Sequence, residues 1–301
     1  MASSSHDSIP VLPAPWTLKG TVYIFMMYMT SKDAATLSAN PEFIYSPLEA
    51  KSSFSKDKLI GGLSMVQLIK YSESPVGPYD EMVVIPGYFE YEIEVTAKDG
   101  KVKTEKRKNL RCTRVFVSQE KTCWNGRNNW NVPKHLAHFD FVDLPNGGTR
   151  IVVHPLLPDA SGQERIKSST PFFATTFKPV SYSPSFPSST DWSKYIGWDL
   201  GLVQPPLLAG EGEELAGTDK WCKIAAVESS KKTSLGWFDL KQRSESAERD
   251  PLLGGDQIEN EEQEFEGYAN FWPGLGRWRI GIKMEDTVVD FPVGEHWGPP
   301  S

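Results

Sequence analysis

The 301-residue chain has few cysteines and no long apolar run. Its three cysteines, Cys112, Cys123 and Cys222, are an odd number without paired spacing, so a disulfide framework is not expected and a reducing compartment is favoured. The most apolar early segment, residues 22–29, is far too short to span a bilayer. Residues 1–8 lack the basic start and apolar core of a secretory leader. We therefore expect a cytoplasmic protein without a membrane partner.

A long basic run is also absent, and the net charge is −7. This balance argues against nucleic acid as the main partner. Residues 243–266 are strongly acidic, and residues 181–191 are rich in Ser and Pro. Both patterns predict long loops of the kind that is often flexible. The polar, Pro-rich residues 1–15 are expected to form a tail.

The residues that are present favour short strands. Hydrophobic residues make up 39% of the chain and aromatic residues 12%, which is enough for a packed core, while 23 Pro and 24 Gly recur at short intervals. Apolar side chains alternate with polar ones in two segments, and this period marks half-buried strands. The alternating residues are Phe89, Tyr91, Ile93 and Val95, and then Trp278, Ile280, Ile282 and Met284.

Further elements follow from the same patterns. Buried strands are predicted at residues 21–30 and 59–71, and a short helix at residues 31–39. Turn residues predict one hairpin at residues 99–100 and another at residues 146–148. We interpret residues 1–301 as a single, mainly β domain of the α+β class.

One segment carries most of the chemistry, and it reads Gly-Arg-Asn-Asn-Trp-Asn-Val-Pro-Lys-His-Leu over residues 126–136. Pro133 fixes the backbone before Lys134, and Phe139 and Phe141 follow at strand spacing. A lysine held among apolar groups loses hydration, which lowers its pKa, and a neutral amine can attack a carbonyl to form a Schiff base. On these residues alone, a solvated surface lysine is the alternative.

This segment resembles the motif around the nucleophilic lysine of acetoacetate decarboxylases. Upstream, residues 71–81 read Tyr-Ser-Glu-Ser-Pro-Val-Gly-Pro-Tyr-Asp-Glu and resemble the family's other signature, a turn that carries an active-site glutamate. The two motifs occur in the expected order, and the likeness covers residues 59–154.

The resemblance implies a large antiparallel, cone-like β barrel with a few helices and with its lysine in an apolar interior. It places Lys134 on the Schiff-base lysine, Glu73 on the pocket glutamate, and Arg127 on an arginine that supports the pocket. His135, Trp130 and Tyr71 are further candidates for substrate binding. The family commonly forms homo-oligomers, and neither a metal nor a cofactor is expected.

Two departures put acetoacetate itself in doubt. His135 stands where acetoacetate decarboxylases have a second lysine, and Asn128 stands where the motif has a glutamate. We therefore expect a small-molecule carbonyl substrate that is bulkier than acetoacetate. His135 and His138, three residues apart, are candidate metal ligands, but the sequence shows no pattern of the further ligands that a zinc site needs.

Three functions stay open at this point. The first, which we favour, is a Schiff-base-forming lyase, a decarboxylase or a related carbon–carbon lyase or dehydratase, in secondary metabolism. The second is a cyclase, isomerase or hydrolase in which Glu73, Arg127 and Lys134 orient a substrate without an imine. The third is a non-catalytic protein that binds a hydrophobic ligand.

Overall fold

The computed structural model describes residues 9–96, 100–145, 147–158, 165–197, 199–240 and 278–298. These ranges contain two α-helices, α1 (Ser31–Ser38) and α2 (Glu120–Trp130), and short 3-10 turns at Pro41–Phe43, Glu49–Lys51, Ser53–Lys56 and Thr190–Ile196. The strands are β1 (Trp16–Met29), β2 (Leu59–Glu73), β3 (Tyr79–Ile85), β4 (Tyr88–Thr96), β5 (Val102–Leu110), β6 (Arg114–Val117), β7 (Lys134–Asp143), β8 (Thr149–Pro158), β9 (Arg165–Lys167), β10 (Phe173–Pro179), β11 (Phe186–Ser189), β12 (Leu202–Gln204), β13 (Trp221–Ile224), β14 (Val227–Asp239), β15 (Trp278–Phe291) and β16 (Glu295–Trp297).

The mainly β prediction is confirmed. The strands expected at residues 21–30 and 59–71 are β1 and β2, and the expected helix is α1, whose first turn is capped by the Thr30 side chain. β4 and β5 pair antiparallel along their whole length, and β7 pairs antiparallel with β8 from Ala137 to Asp143, so both predicted hairpins are present. Asp99 and Asn146, which were expected in the two turns, lie outside the described residues.

Two segments that were predicted to be irregular make defined contacts in the structure. Residues 181–191 were expected to be a loop, but they contain β11, which pairs with β14 and shifts register next to Pro187, where a proline in a strand is tolerated. The described part of the predicted tail is held against α2, because the Leu12 N–H donates to Asn125 Oδ1 at 2.7 Å. The acidic segment at residues 243–266 lies outside the described residues.

Nine strands close into a barrel in the order β1-β15-β14-β10-β8-β7-β6-β3-β2, and β2 pairs back onto β1. Neighbours in this ring run antiparallel, except β6 and β7, which run parallel because α2 connects them. Aromatic side chains fill the centre: Tyr23 of β1 lies 5.6 Å from Phe177 of β10, and Phe25 lies 5.0 Å from Phe238 of β14. These strands are not neighbours in the ring, so this face points to the barrel axis.

The opposite face of the same strands forms a second apolar core. Because side chains alternate along a strand, Ile24 of β1, Ile69 of β2 and Val83 of β3 point away from the aromatic centre. A smaller sheet of β4, β5, β12, β13 and β16, joined to the start of β2, adds residues to this core, and so does α2. The candidate site lies in this second core.

The aromatic centre yields a test of what stabilises the barrel. Phe238 is fully buried, so Phe238→Ala should lower the free energy of unfolding by about 3–5 kcal/mol through lost contacts and a residual cavity. Urea unfolding measures this change. Phe43, which is 45% exposed, is the matched control, and Phe43→Ala should cost less than about 1 kcal/mol. Equal costs for the two variants would contradict the packing described here.

Candidate active site

The lysine motif folds as the end of a helix followed by a strand. α2 buries Cys123, Arg127 and Trp130, which share one face at helical spacing. The helix ends at Asn131, which adopts a left-handed conformation with φ of 53° and donates its N–H to the Gly126 and Arg127 carbonyls. Pro133 follows and cannot continue the helix, so the chain turns and Lys134 becomes the first residue of β7.

The glycine of the motif makes room for the lysine. A Cβ atom at position 126 would lie 2.7 Å from both Cδ and Cε of Lys134 and 3.2 Å from its Nζ. The methylene stem of Lys134 therefore packs directly on the α2 backbone. Only glycine permits this close approach without moving the lysine side chain.

Lys134 is held at both ends. Its side chain is buried, and Nζ donates to Glu81 Oε2 at 2.7 Å and to Thr122 Oγ1 at 2.9 Å. Its backbone carbonyl accepts hydrogen bonds from Cys123 Sγ at 3.2 Å and from Arg127 Nη1 at 3.1 Å. The amine position is thus fixed by a strand, a helix and an ion pair together.

Strand register places Glu81 beside the amine. β6 lies between β3 and β7, and Val115 of β6 pairs with Val83 on one side and with Lys134 on the other. Glu81 is two residues before Val83, so both point to the face that carries Lys134. Tyr79 is on the same face, with its ring centre 5.2 Å from Lys134 Nζ. Burial, and then the Glu81 charge, raise the pKa of the Tyr79 phenol well above its ordinary value.

The amine opens onto an apolar cavity of about 260 Å³. Its walls are mostly hydrophobic, and they include Trp16, Ile69, Val83, Trp130, Ile282 and Met284. Polar side chains are fewer, and among the described lining residues they are Gln67, Tyr71, Tyr79, Glu81, Cys112, Lys134, Ser188, Ser189, Thr190 and Glu228. A mainly apolar cleft with a few convergent polar groups is the usual form of a small-molecule site.

Tyr71 and Glu228 carry polar atoms that the described protein does not satisfy. Tyr71 is 2% exposed and Glu228 is 7% exposed, yet neither the Tyr71 hydroxyl nor Glu228 Oε2 has a hydrogen-bond partner among the described residues. Burial, with a smaller contribution from Glu81, raises the pKa of Glu228 to about 7, although the nearby Gln67 amide opposes the shift. Both groups line the cavity and are available to a ligand.

The structure brings three of the predicted site residues together: Lys134, Trp130 and Tyr71 line the cavity. Lys134 is buried in apolar surroundings, but in the second core and not at the barrel centre, because it alternates on β7 with the inward-pointing Ala137 and Phe139. Trp130 donates its indole N–H to the Pro292 carbonyl at 2.8 Å, which orients its ring as a wall.

Glu73 is not near the amine. It ends β2, where the strand runs into solvent, its side chain is 65% exposed, and it pairs with Lys19 at 2.8 Å. The carboxylate beside Lys134 is instead Glu81, at the other end of the same sequence motif. The alternation of Tyr79, Glu81, Val83 and Ile85 could have identified it, because every second residue there shares a face with apolar neighbours.

Arg127 and His135 form a clamp behind the site. Arg127 is fully buried and donates to Glu49 at 3.0 Å, to the Ala216 carbonyl at 2.8 Å and to the Leu208 carbonyl at 2.7 Å. His135 Nε2 lies 2.6 Å from the other Glu49 oxygen. Burial alone would raise the pKa of Glu49, but His135 and then Arg127 outweigh it and hold that pKa below its ordinary value. Neither residue lines the cavity.

The remaining histidines of β7 and β8 share one carboxylate. His138 and His154 lie 3.1 Å and 3.2 Å from the two Asp140 oxygens. Across the described ranges, we find no group of three or more His, Cys, Asp or Glu side chains placed to hold a metal ion. No described helix is both long enough and apolar enough to cross a membrane.

Comparison with solved structures identifies the architecture. An acetoacetate decarboxylase from Legionella pneumophila matches with a TM-score of 0.52 and 13% identity, over 99% of each chain. A second structure, described as acetoacetate decarboxylase, matches with a TM-score of 0.50 and 11% identity, again over 99% of each chain. The chain has an acetoacetate decarboxylase-like fold. No protein-family model matches the sequence. No curated protein matches it either.

The acetoacetate decarboxylase-like fold confirms the architecture expected from the two motifs. The chain is a divergent example, because the match extends over nearly all of both chains at low identity. Sequence reasoning missed Glu81 and Glu228, which line the cavity, and Thr122, which accepts a hydrogen bond from the Lys134 amine. Glu228 lies in the segment Val-Glu-Ser-Ser-Lys-Lys-Thr (residues 227–233), where no apolar alternation is present, so the sequence carries no signal that could have identified it.

The raised pKa of Glu228 predicts a pH-dependent stability. A carboxyl group whose pKa rises from 4.5 to about 7 on folding stabilises the protein fully below pH 4.5, and this contribution is lost as the pH rises through about 7. Glu228→Gln cannot ionise, so it should gain about 3 kcal/mol relative to the native protein between pH 4.5 and pH 8. Urea unfolding at stepped pH values measures the difference. Glu73→Gln, at an exposed carboxylate, is the control, and parallel profiles for all three proteins would refute the prediction.

Proposed function

We propose that the protein is an enzyme that condenses Lys134 with a ketone or aldehyde. The observation that supports this most is the buried Lys134 Nζ, which faces an apolar cavity while Glu81 and Thr122 hold it within hydrogen-bonding distance. An exposed lysine would be solvated and free to move, whereas this one is positioned before a substrate arrives. Prepositioning of the nucleophile removes orientational entropy from the bimolecular step.

Glu81 is the base within reach of the amine. The ammonium transfers one proton to Glu81, and the neutral nitrogen then attacks the carbonyl carbon, so that a C–N bond forms while the C=O π electrons move to oxygen. Glu81 returns its proton to that oxygen, and loss of water leaves the protonated imine. Thr122 keeps one hydrogen bond to the nitrogen throughout.

The protonated imine is an electron sink for a bond at the α-carbon. When that bond breaks, its electron pair forms the C=C double bond of an enamine and the C=N π electrons neutralise the nitrogen. The bond can join the α-carbon to a carboxylate, which leaves as carbon dioxide, or to a carbinol carbon, which leaves as an aldehyde while its hydroxyl proton passes to Glu81. In these two cases, protonation of the enamine at the α-carbon and hydrolysis of the imine return Lys134. The bond can also be an α C–H bond, whose proton passes to Glu81. The enamine then expels a β-hydroxyl group, which leaves as water with that proton, and hydrolysis of the resulting conjugated imine returns Lys134.

A function without an imine has its own support. Lys134, Glu81 and Tyr79 form a compact hydrogen-bonding and charged group that can orient a substrate for cyclisation or isomerisation. The difference between this function and the first one is covalent, so a covalent trap separates them.

Borohydride trapping tests the imine. The protein is incubated with methyl ketones, aldehydes and β-keto acids of increasing bulk, reduced with borohydride, and digested for peptide mass spectrometry. We expect an alkyl adduct on Lys134 that is absent in Lys134→Arg and retained in Lys178→Arg, whose side chain is 44% exposed. Absence of an adduct across the bulky carbonyls, with the fold intact by circular dichroism, would favour substrate orientation without an imine.

Gly126→Ala is a second test of the same mechanism. The new methyl group should displace the Lys134 side chain, and a shift of about 1 Å costs on the order of 100-fold in rate. Alanine stabilises a helix by about 1 kcal/mol relative to glycine, which offsets the cost of moving the Lys134 side chain. The free energy of unfolding should therefore change little. The rate of borohydride trapping is compared with that of Asn128→Ala, a control on the same helix whose side chain donates to the Trp124 carbonyl. Trapping by Gly126→Ala at the native rate would contradict the packing argument.

A further inference from the structure

The polar groups of the cavity define a substrate class more narrowly than the fold does. We propose that the cavity takes a neutral carbonyl compound, with an apolar body and a hydroxyl or second carbonyl that binds at Glu228 and Tyr71, rather than a keto acid. This inference rests on the proposed function, because it takes the reacting carbonyl to lie at Lys134.

The charges of the cavity disfavour an anionic substrate. Among the described residues that line it, Lys134 is the one cation, and its ammonium is already paired with Glu81 at 2.7 Å. Glu228 adds a second carboxyl group, and no described arginine lines the cavity. A bound carboxylate would lose its hydration among apolar walls without gaining a free cation, and burial of an unpaired charge is costly.

Two unsatisfied groups indicate where a neutral polar group would bind. The Tyr71 hydroxyl and Glu228 Oε2 are both buried, and neither has a hydrogen-bond partner in the part of the chain that the structure describes. A buried polar group without a partner is unfavourable, so a ligand that supplies partners to both atoms gains binding energy there. A hydroxyl can donate to the Glu228 carboxylate while it accepts from Tyr71, and a carbonyl can accept from Tyr71 and from protonated Glu228.

The polar groups of the cavity extend beyond the amine. Lys134, Thr122 and Glu81 are joined by hydrogen bonds, Gln67 lies beside Glu228, and Tyr71 is close enough to feel the charges of both Glu81 and Glu228. The walls around these groups are mostly apolar. A substrate that reaches both the amine and Glu228 therefore carries its two polar functions on one hydrocarbon body. Without a carboxylate to lose, the imine chemistry narrows to cleavage of a carbon–carbon bond to a carbinol or to dehydration.

The test uses three methyl ketones of equal chain length that end in a methyl, a hydroxyl or a carboxylate group. Trp16 and Trp130 line the cavity, so quenching of tryptophan fluorescence reports binding without any need for an imine, and borohydride trapping on Lys134 reports reaction. We expect the hydroxyl ketone to bind about tenfold more tightly than the methyl ketone and to be trapped on Lys134 about tenfold faster. The carboxylate ketone should be at least about tenfold worse than both.

Two variants test whether Glu228 and Tyr71 set the preference among the three ketones. Glu228→Gln keeps the size of the side chain and an acceptor oxygen but removes the negative charge, so the carboxylate ketone should improve relative to the hydroxyl ketone. Tyr71→Phe removes one hydroxyl, so the preference for the hydroxyl ketone over the methyl ketone should fall about tenfold. Far-ultraviolet circular dichroism checks that both variants fold.

The outcomes separate this inference from the proposed function. If all three ketones are trapped and the carboxylate ketone is equal or better, the imine mechanism stands and the neutral substrate class is wrong. If the fluorescence order is as expected and nothing is trapped, the binding preference stands and the imine mechanism fails. If Glu228→Gln does not improve the carboxylate ketone relative to the other two, Glu228 does not set the selectivity and the proposal is overturned.

Discussion

The buried ion pair between Lys134 and Glu81 is the constraint on which the site depends. Each charge would be costly alone in an apolar core, and at 2.7 Å each provides the other with a partner. The pair forms only if β3 and β7 lie on either side of β6 in the observed register, because a one-residue slip would move Glu81 to the aromatic face. Thus the catalytic proposal and the strand order of the barrel are linked through one contact.

The strands of the barrel divide stability and function between their two faces. One face packs Phe25, Phe177 and Phe238 at the barrel centre, and this packing fixes the backbone. The other face holds the cavity, where a loss of packing leaves room for a ligand and where polar atoms such as the Tyr71 hydroxyl stay unsatisfied. A rigid centre allows the strands to support these unfavourable groups, as functional sites commonly do.

Much of the fold could be predicted from local patterns, because apolar alternation and turn residues act over a few positions. The segment before Lys134 was harder: α2 buries Gly126 and Arg127 where a helix normally buries aliphatic residues, so its period is hidden from a hydrophobicity reading. Lys134 was found through its motif, and the alternation along β3 marks Glu81 as a residue of the apolar face, but its position beside Lys134 follows only from the strand register. Glu228 needed the tertiary structure, because β14 reaches the cavity through a pairing with β15 that no local pattern encodes.

The two departures from the acetoacetate decarboxylase motif do not alter the cavity in the way that the sequence indicated. His135 points away from the cavity and pairs with Glu49, so it belongs to the clamp with Arg127. Asn128 donates to the Trp124 carbonyl on α2 and is likewise absent from the cavity wall. The doubt about acetoacetate is therefore better founded on Glu228, whose carboxyl group faces the cavity that a keto acid would have to enter. The proposed preference for a neutral substrate therefore depends on a carboxyl group that β14 places at the cavity wall.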